Sequence, residues 1–241
     1  MKYLIIGRGR SALHFDFYLR HLGHQCRQWH HKSHSFEELH QLFTLCDRAL
    51  LLIKDSAIEA FLMRHPFLRT SKCVHFSGAL WIEGIENVHP LISLGQELFA
   101  PDFYSQIPFA IFSEKQRDLS SILPGLNNPA FIIPPQAKAL YHGLCVASGN
   151  LTVLLWQIVG QTFRDQWGLK EEWLKPYLDS VTFNLKSHWK EALTGPIARR
   201  DEQTLLKNYT SLQNTSLRSI FEAHVMLAWP EFAEKYFDPA R

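Results

Sequence analysis

The sequence has neither a strong charge of one sign nor many cysteines. Its 25 lysine and arginine residues nearly balance 23 acidic residues, and the formal net charge is +2. No basic tract occurs, so nucleic acid is not expected as a partner. The cysteines lack CxxC spacing, and they are Cys26, Cys46, Cys73 and Cys145. We expect reduced, mostly buried thiols in a cytoplasmic protein.

Long apolar runs and metal-ligand spacings are also missing. No apolar run is expected to reach the length of a membrane span, and the chain begins with a strand pattern instead of a signal peptide, so no membrane association is expected. The 13 histidines form neither an HExxH pattern nor a Cys/His finger pattern. We therefore predict no metal site, and metal-dependent hydrolysis is the weakest functional alternative.

The most informative stretch is a glycine-containing turn at the start of the chain. The apolar run Tyr3 to Ile6 predicts a buried strand, and Gly7-x-Gly9-x-x-Ala12 and a helical pattern follow it. In dinucleotide-binding proteins the first glycine permits the tight turn, and the second lets a pyrophosphate approach the backbone near a helix N-terminus. An ordinary strand–helix turn is the alternative. The predicted cofactor-binding residues of this turn are Gly7, Arg8, Gly9, Arg10, Ser11 and Ala12.

The end of the second predicted strand, His24 to Trp29, favours NADP over NAD. An NAD site has an acidic residue about 20 residues beyond the glycines, where it binds the ribose hydroxyls. No acidic residue occurs between Asp16 and Glu37. The cationic residues found there suit a 2′-phosphate, although a polar loop that binds nothing is the alternative. The further predicted cofactor-binding residues are His30, His31 and Lys32 here, with Lys54 and Asp55 after the third strand.

Strand and helix patterns alternate through the first half of the chain. They predict an α/β protein with an N-terminal Rossmann-like, doubly wound, mainly parallel sheet. Pro134-Pro135 marks the predicted boundary. One long, deeply buried helix is expected from Gln136 to Trp167, and further helices follow it. The predicted domains are therefore residues 1–134, which bind the nucleotide, and residues 135–241, which are all-α.

Polar residues at strand ends and within the long helix are the catalytic candidates. His75 and Ser77 share one face at the end of the fourth strand, and His89 ends the fifth strand before a proline. His142 and Asn150 are eight residues apart and lie near one helix face. Beside a nicotinamide such groups can bind substrate or donate a proton. The alternatives are a hydrogen-bonded core histidine, a turn-forming serine and a close helix–helix contact.

Four motifs together resemble a bacterial family of Rossmann-like proteins with a helical C-terminal domain, over the whole chain. It is related to ketopantoate reductase, pyrroline-5-carboxylate reductase and 6-phosphogluconate dehydrogenase-like proteins. The motifs are His75-Phe-Ser77-Gly78, His89-Pro90-Leu91, Tyr141-His142 with Ser148-Gly-Asn150, and Leu193-Thr-Gly-Pro-Ile-Ala-Arg199-Arg200-Asp201.

The resemblance implies an NADP-linked oxidoreductase, a homodimer built through the helical domain and a cleft between the domains. Typical members have glycine where this chain has Arg200. The lysine expected in 6-phosphogluconate dehydrogenase-like and ketopantoate reductase-like enzymes is not evident beside Asn150, and Lys138 lies further back in the sequence.

The Leu193 to Asp201 string holds the predicted substrate-binding residues. Thr194, Arg199 and Arg200 offer a hydroxyl and two guanidinium groups that suit a carboxylate or phosphate. A helix–loop–helix junction with Asp201 as N-cap is the alternative. The sequence thus predicts an NADP-dependent reductase that transfers a hydride to a small carbonyl or imine acid. A non-catalytic nucleotide-binding regulatory or sensor dimer is the alternative function.

Overall fold

The computed structural model describes residues 1–237. The chain divides into two compact units, and the boundary along the sequence falls between Gly149 and Asn150. The first unit contains one seven-stranded sheet with the strand order β2-β1-β3-β4-β5-β6-β7. The strands are β1 (Lys2–Ile6), β2 (Gln25–Trp29), β3 (Arg48–Leu51), β4 (Cys73–His75), β5 (Glu86–Pro90), β6 (Phe109–Phe112) and β7 (Ala130–Ile133).

The sheet is parallel from β2 to β5, and β6 then runs antiparallel to β5. Its two faces are both covered, as the almost wholly apolar β1 requires. Tyr3 and Ile5 join the apolar cluster that includes the first helix, whereas Leu4 and Ile6 join the cluster on the other face. This arrangement confirms the predicted Rossmann-like, doubly wound, mainly parallel sheet.

Helices connect the strands of the first unit, and helices make up the described part of the second unit. Short 3₁₀ turns cover Pro66–Leu68, Pro135–Ala137 and Glu171–Trp173. The α-helices are α1 (Arg10–His21), α2 (Phe36–Leu45), α3 (Asp55–Arg64), α4 (Pro101–Tyr104), α5 (Leu119–Ile122), α6 (Lys138–Trp167), α7 (Lys175–Ser187), α8 (Gly195–Ala198), α9 (Glu202–Ser211), α10 (Arg218–Ala228) and α11 (Pro230–Tyr236).

Local sequence signals set several helix ends. Ser35 and Glu38 form a reciprocal capping box at the start of α2. The Asp201 side chain accepts a hydrogen bond from the Thr204 amide and caps α9. Gly168, with a positive φ of 66°, follows the last residue of α6.

The second unit has its own apolar core beneath the last four helices. The predicted all-α character of this part of the chain is confirmed over its described residues. The helix α11 supplies Phe232 and Ala233 to this core. The buried members of the core are Ile197, Leu205, Val225, Phe232, Ala233 and Phe237.

The helix α6 differs from its predicted state, because it is not deeply buried. The Leu140 and Leu144 side chains are 68% and 61% exposed. With its preceding turn, Pro135–Trp167 is long and apolar enough to cross a membrane, with a mean hydropathy of 1.4 and 6% of the apolar window buried. The expectation that no segment reaches this length was wrong, because no charged residue lies between Lys138 and Arg164.

Candidate functional site

The glycine turn connects β1 to α1. Gly7 has a φ of 134°, and a Cβ atom there would collide with the carbonyl oxygen of Leu52 in the neighbouring β3–α3 connection. Glycine is therefore required at this position by the protein itself. At Gly9 the backbone is extended and a Cβ atom would meet no atom within 4 Å. Glycine at position 9 is thus not required by packing, but it leaves the space that a pyrophosphate needs.

A cavity of about 920 Å³ opens beside this turn. Within residues 1–237, no acidic side chain lines it. Apolar side chains line it too, among them Phe36 and Phe61. The cationic side chains and histidines that line it are Arg8, His30, His31, Lys32, Lys54 and Arg64.

The structure brings most of the predicted phosphate-binding residues to this cavity. Arg10 and Ala12 instead line a neighbouring cavity of about 600 Å³ that also borders Arg8 and Gly9. Arg64 was missed by the sequence reasoning. It follows Ala57 and Ala60 at helical spacing on α3 and lies on the same cavity wall, so the helical period was the available signal.

His75 is fully buried and uses both ring nitrogens within the protein. The Asn87 amide donates to the carbonyl oxygens of Ile82 and Ile85 at 3.0 and 2.9 Å, so its Oδ1 atom faces His75. The His75 Nε2–H group donates to this oxygen, and His75 Nδ1 accepts from the Ser77 amide at 3.3 Å. Burial, reinforced by the Lys138 ammonium, lowers the pKa of His75 to about 4. These contacts favour a neutral ring that positions the β4 loop.

Ser77 joins the ends of β3 and β4. Its hydroxyl donates to Asp55 Oδ2 at 2.6 Å and accepts from the amides of Ala79 and Leu80 at 3.2 and 2.9 Å. Asp55 itself is the first residue of α3, which has Lys54 as its N-cap. Asp55, which the sequence predicted to bind the cofactor, thus binds Ser77 within the protein.

Lys138 at the start of α6 lies next to this network and is 1% exposed. Its Nζ atom is 3.5 Å from Asn87 Oδ1 and 3.8 Å from the centre of the Phe112 ring. Burial lowers the pKa of Lys138 to about 7, and the nearby Asp55 carboxylate opposes part of this shift. A lysine with this pKa changes its charge near neutral pH. Sequence reasoning gave it no role, because its neighbours come from β5 and β6.

His89 at the end of β5 pairs with Tyr141 on α6. The distance from His89 Nδ1 to Tyr141 Oη is 2.8 Å, and the two rings meet edge to face. The His142 ring also meets the His89 ring edge to face at 6.2 Å, and it fits there because position 78 is glycine. Burial first, and then His142 and Lys138, lower the pKa of His89 to about 4.

His75, Ser77, His89 and His142 therefore belong to one cluster in the first unit. Asn150 is the first residue of the second unit, and its side chain is exposed on α6. Within residues 1–237, no group of three or more histidine, cysteine, aspartate or glutamate side chains is arranged to hold a metal ion.

The predicted substrate-binding residues lie around α8 in the second unit. Thr194, Arg199 and Arg200 are all exposed. Arg200 has a left-handed φ of 55°, and its guanidinium lies 4.8 Å from the centre of the Trp229 ring. Glycine would adopt this backbone conformation without strain. The Trp229 contact holds Arg200 at the surface of its own unit.

Comparisons with known proteins agree with this fold. Residues 107–226, just under half of the chain, match the family described as Domain of unknown function (DUF2520). A sequence search of curated proteins finds no match. The structure is similar to a proposed NADP oxidoreductase from Bacteroides fragilis, with a TM-score of 0.70 and 18% identity over 97% of this chain and 98% of that chain.

Two reductases of known type are also similar in structure. For 1-pyrroline-5-carboxylate reductase from Streptococcus pyogenes the TM-score is 0.59, with 14% identity over 97% of this chain and 98% of that chain. For the NADP-bound pyrroline carboxylate reductase from Plasmodium falciparum it is 0.57, with 14% identity over 98% of this chain and 97% of that chain. At these identities the similarity establishes a shared fold.

Proposed function

We propose that this protein is an NADPH-dependent reductase that acts on a small carbonyl or imine acid. The observation that carries the proposal is the turn at Gly7 and Gly9, which opens beside a cavity. Among the described residues, six cationic or histidine side chains and no acidic one line this cavity. The similar folds of an NADP oxidoreductase and of two pyrroline carboxylate reductases support it. The four free thiols suit a cytoplasmic protein.

NADPH, when bound, supplies the hydride. In this proposal His89 is the proton donor to the substrate, because its neutral ring offers an Nε2–H group when Tyr141 donates a hydrogen bond to Nδ1. His89 gives the Nε2 proton to the substrate oxygen or nitrogen while the Tyr141 hydroxyl gives its proton to Nδ1, and water then returns a proton to the Tyr141 oxygen. Burial, together with His142 and Lys138, keeps the His89 ring neutral by lowering its pKa. His75, Ser77 and Asn87 are positioning residues that fix the loop beside it.

The second unit is proposed to bind the acid group of the substrate. Arg199 is exposed, and no ion pair or hydrogen bond of its guanidinium is seen within the described chain. Thr194 adds a hydroxyl, and Arg200 adds a second positive charge near the surface. A planar guanidinium suits a carboxylate because it can donate two parallel hydrogen bonds. Asn150 is exposed on α6, and we propose that it presents its side-chain amide to the substrate.

The test combines cofactor binding with turnover. NADPH fluorescence is followed during titration with the protein, and NADPH oxidation is then measured with a panel of cyclic imines and 2-oxo acids. We expect saturable binding and oxidation with at least one member of the panel. Binding without turnover across the panel would favour the sensor alternative, and failure to bind NADPH or NADH would contradict both functions.

A His89→Gln variant is expected to lose about 10²-fold or more in turnover, because general acid groups contribute about 10²- to 10⁴-fold. Its dissociation constant for NADPH should stay within about twofold, since His89 does not line the cofactor cavity. Tyr141→Phe is the matched variant, and it should lose less because the imidazole remains. Steady-state kinetics on the best substrate and NADPH titration measure the two effects. Unchanged turnover in His89→Gln would contradict the assigned role.

We also propose that α6 packs against a second copy of this chain, to form a homodimer. Leu140, Leu144 and Leu151 lie near one face of α6 and are 68%, 61% and 47% exposed. Covering them is favourable by about 25 cal/mol per Å² of apolar surface. A membrane suits this helix less well, because its first turns pack Tyr141 against Phe112 of the sheet and polar side chains such as Asn150 interrupt it.

A Leu144→Glu, Leu151→Glu variant is expected to be monomeric, because two carboxylates would be buried in the interface without partners. Sedimentation equilibrium should give twice 28.0 kDa for the natural chain and 28.0 kDa for the variant. The matched control is Leu45→Glu, which is 69% exposed on α2 and should remain dimeric. A monomeric natural chain, or its partition into lipid vesicles in place of a defined dimer, would contradict the proposal.

A further inference from the structure

Three histidines follow β2 within five residues, and two of them line the cofactor cavity. The rings of His30 and His31 are 4.3 Å apart between centroids, at an interplanar angle of 39°. The Lys32 amide donates to His30 Nδ1 at 3.3 Å, and the His30 amide donates to His34 Nδ1 at 3.2 Å. The loop thus holds the His30 ring with Nδ1 accepting a hydrogen bond and with the His31 ring beside it.

In the part of the chain that the structure describes, every charged side chain that lines the cavity around these rings is cationic. Arg8 comes from the β1–α1 turn, Lys32 from the loop itself, and Lys54 and Arg64 from the start and end of α3. The nearest acidic residues along the chain are Glu37 and Glu38, at the start of α2. The Glu38 carboxylate accepts from the Ser35 amide in the capping box. Partial burial, and then the neighbouring His31, Arg8, Lys32 and His34, lower the pKa of His30, so a free cavity disfavours its imidazolium form.

A 2′-phosphate bound in this cavity would favour the imidazolium form of His30 instead of the neutral form. A phosphate monoester carries a charge of about −1.5 to −2 at pH 7, and an adjacent anion favours the imidazolium form. NADH presents an uncharged hydroxyl at the same place. NADPH binding is therefore expected to protonate His30, whereas NADH binding is not.

We propose that His30 selects NADPH over NADH through linked protonation, so that the cofactor preference strengthens as the pH falls toward neutrality. The inference rests on the proposed function, since it assumes that this cavity holds the adenosine end of the cofactor. The fixed cations Arg8, Lys32 and Arg64 supply the part of the preference that does not depend on pH. His30 supplies the part that does, because one bound proton changes affinity by at most about tenfold per pH unit.

The test is fluorescence titration with NADPH and with NADH at pH 6.5 and pH 8.0. We expect the NADPH affinity to be about tenfold higher at pH 6.5, and the NADH affinity to change by less than about twofold. Calorimetry at pH 7.5 in two buffers of different ionisation heat should show proton uptake with NADPH and none with NADH. His30→Asn with His31→Asn should remove the pH dependence of NADPH affinity and the proton uptake. His21→Asn, exposed at the end of α1 and outside the cavity lining, is the matched control and should behave as the natural chain.

The outcomes separate this inference from the proposed function. If neither cofactor binds at either pH, both are overturned. If NADPH binds tightly with the same affinity at both pH values, or if the pH dependence persists in the double variant, the cofactor assignment stands and the role of the histidines is wrong.

Discussion

Gly7→Ala is expected to destabilise the protein by about 3–5 kcal/mol. The new Cβ atom would collide with the Leu52 carbonyl oxygen, and alanine would have to adopt a φ of 134°. Both effects act at the end of β1, which lies between β2 and β3 in the parallel part of the sheet. Urea denaturation followed by circular dichroism measures the free energy of unfolding.

Gly9→Ala is the matched control for this prediction. Position 9 is two residues further along the same turn, but its backbone is extended and a Cβ atom there meets open space. Because alanine is a weaker N-cap than glycine, we expect a loss of less than about 1 kcal/mol. Equal destabilisation of the two variants would show that the turn is not built as described.

Lys138→Met is expected to stabilise the protein at pH 7 by about 1–4 kcal/mol, because it replaces a buried ammonium that has few partners with an apolar chain of similar length. In the unfolded chain the pKa of Lys138 returns to its ordinary value of 10.5, whereas in the folded protein it is lowered to about 7. Between these two values the unfolded chain binds more protons than the folded protein. The free energy of unfolding of the natural chain therefore rises with pH across this window.

Methionine at position 138 does not titrate. The variant's gain in the free energy of unfolding should therefore be largest at or below pH 7 and shrink toward pH 10. Urea denaturation at pH 7.0 and pH 9.5 compares the two proteins. Lys115→Met, at an exposed position, is the matched control and should change stability by less than about 0.5 kcal/mol. A stability gain that is independent of pH, or a variant that is less stable at both pH values, would contradict the claim that Lys138 is buried with a lowered pKa.

Local signals in the sequence were sufficient for much of the fold. The strand β1 and the turn after it are encoded in adjacent residues, as is the capping box of Ser35 and Glu38. Such features depend on contacts within a few residues, and side-chain type and spacing specify them directly. The same holds for the cationic loop after β2, which the structure brings to the cavity beside the glycine turn.

The polar network of His75, Asn87 and Lys138 depends on the pairing of strands that are distant in sequence. Local sequence patterns do not reveal that pairing. His75 meets Asn87 because β4 and β5 pair in parallel with these two residues as register partners. Lys138 joins them through the start of α6. From the sequence, His75 and Ser77 were catalytic candidates, yet their hydrogen bonds are made within the protein.

The long helix shows another limit of sequence reasoning. Its apolar spacing predicts burial but does not specify whether the covering surface belongs to the same chain or to a second one. Leu140 and Leu144 are apolar and yet exposed. The sequence therefore predicted the helix and its end at Gly168 but not its environment.

The measurement that tests the central claim most directly is NADPH titration of the natural chain beside Gly9→Ala, with stability measured on the same samples. The proposed site predicts saturable binding to the natural chain and at least about tenfold weaker binding to the variant, because the added methyl group occupies the space of the pyrophosphate. The variant should remain folded. Equal NADPH affinity in both proteins, or no NADPH binding to the natural chain, would contradict the account.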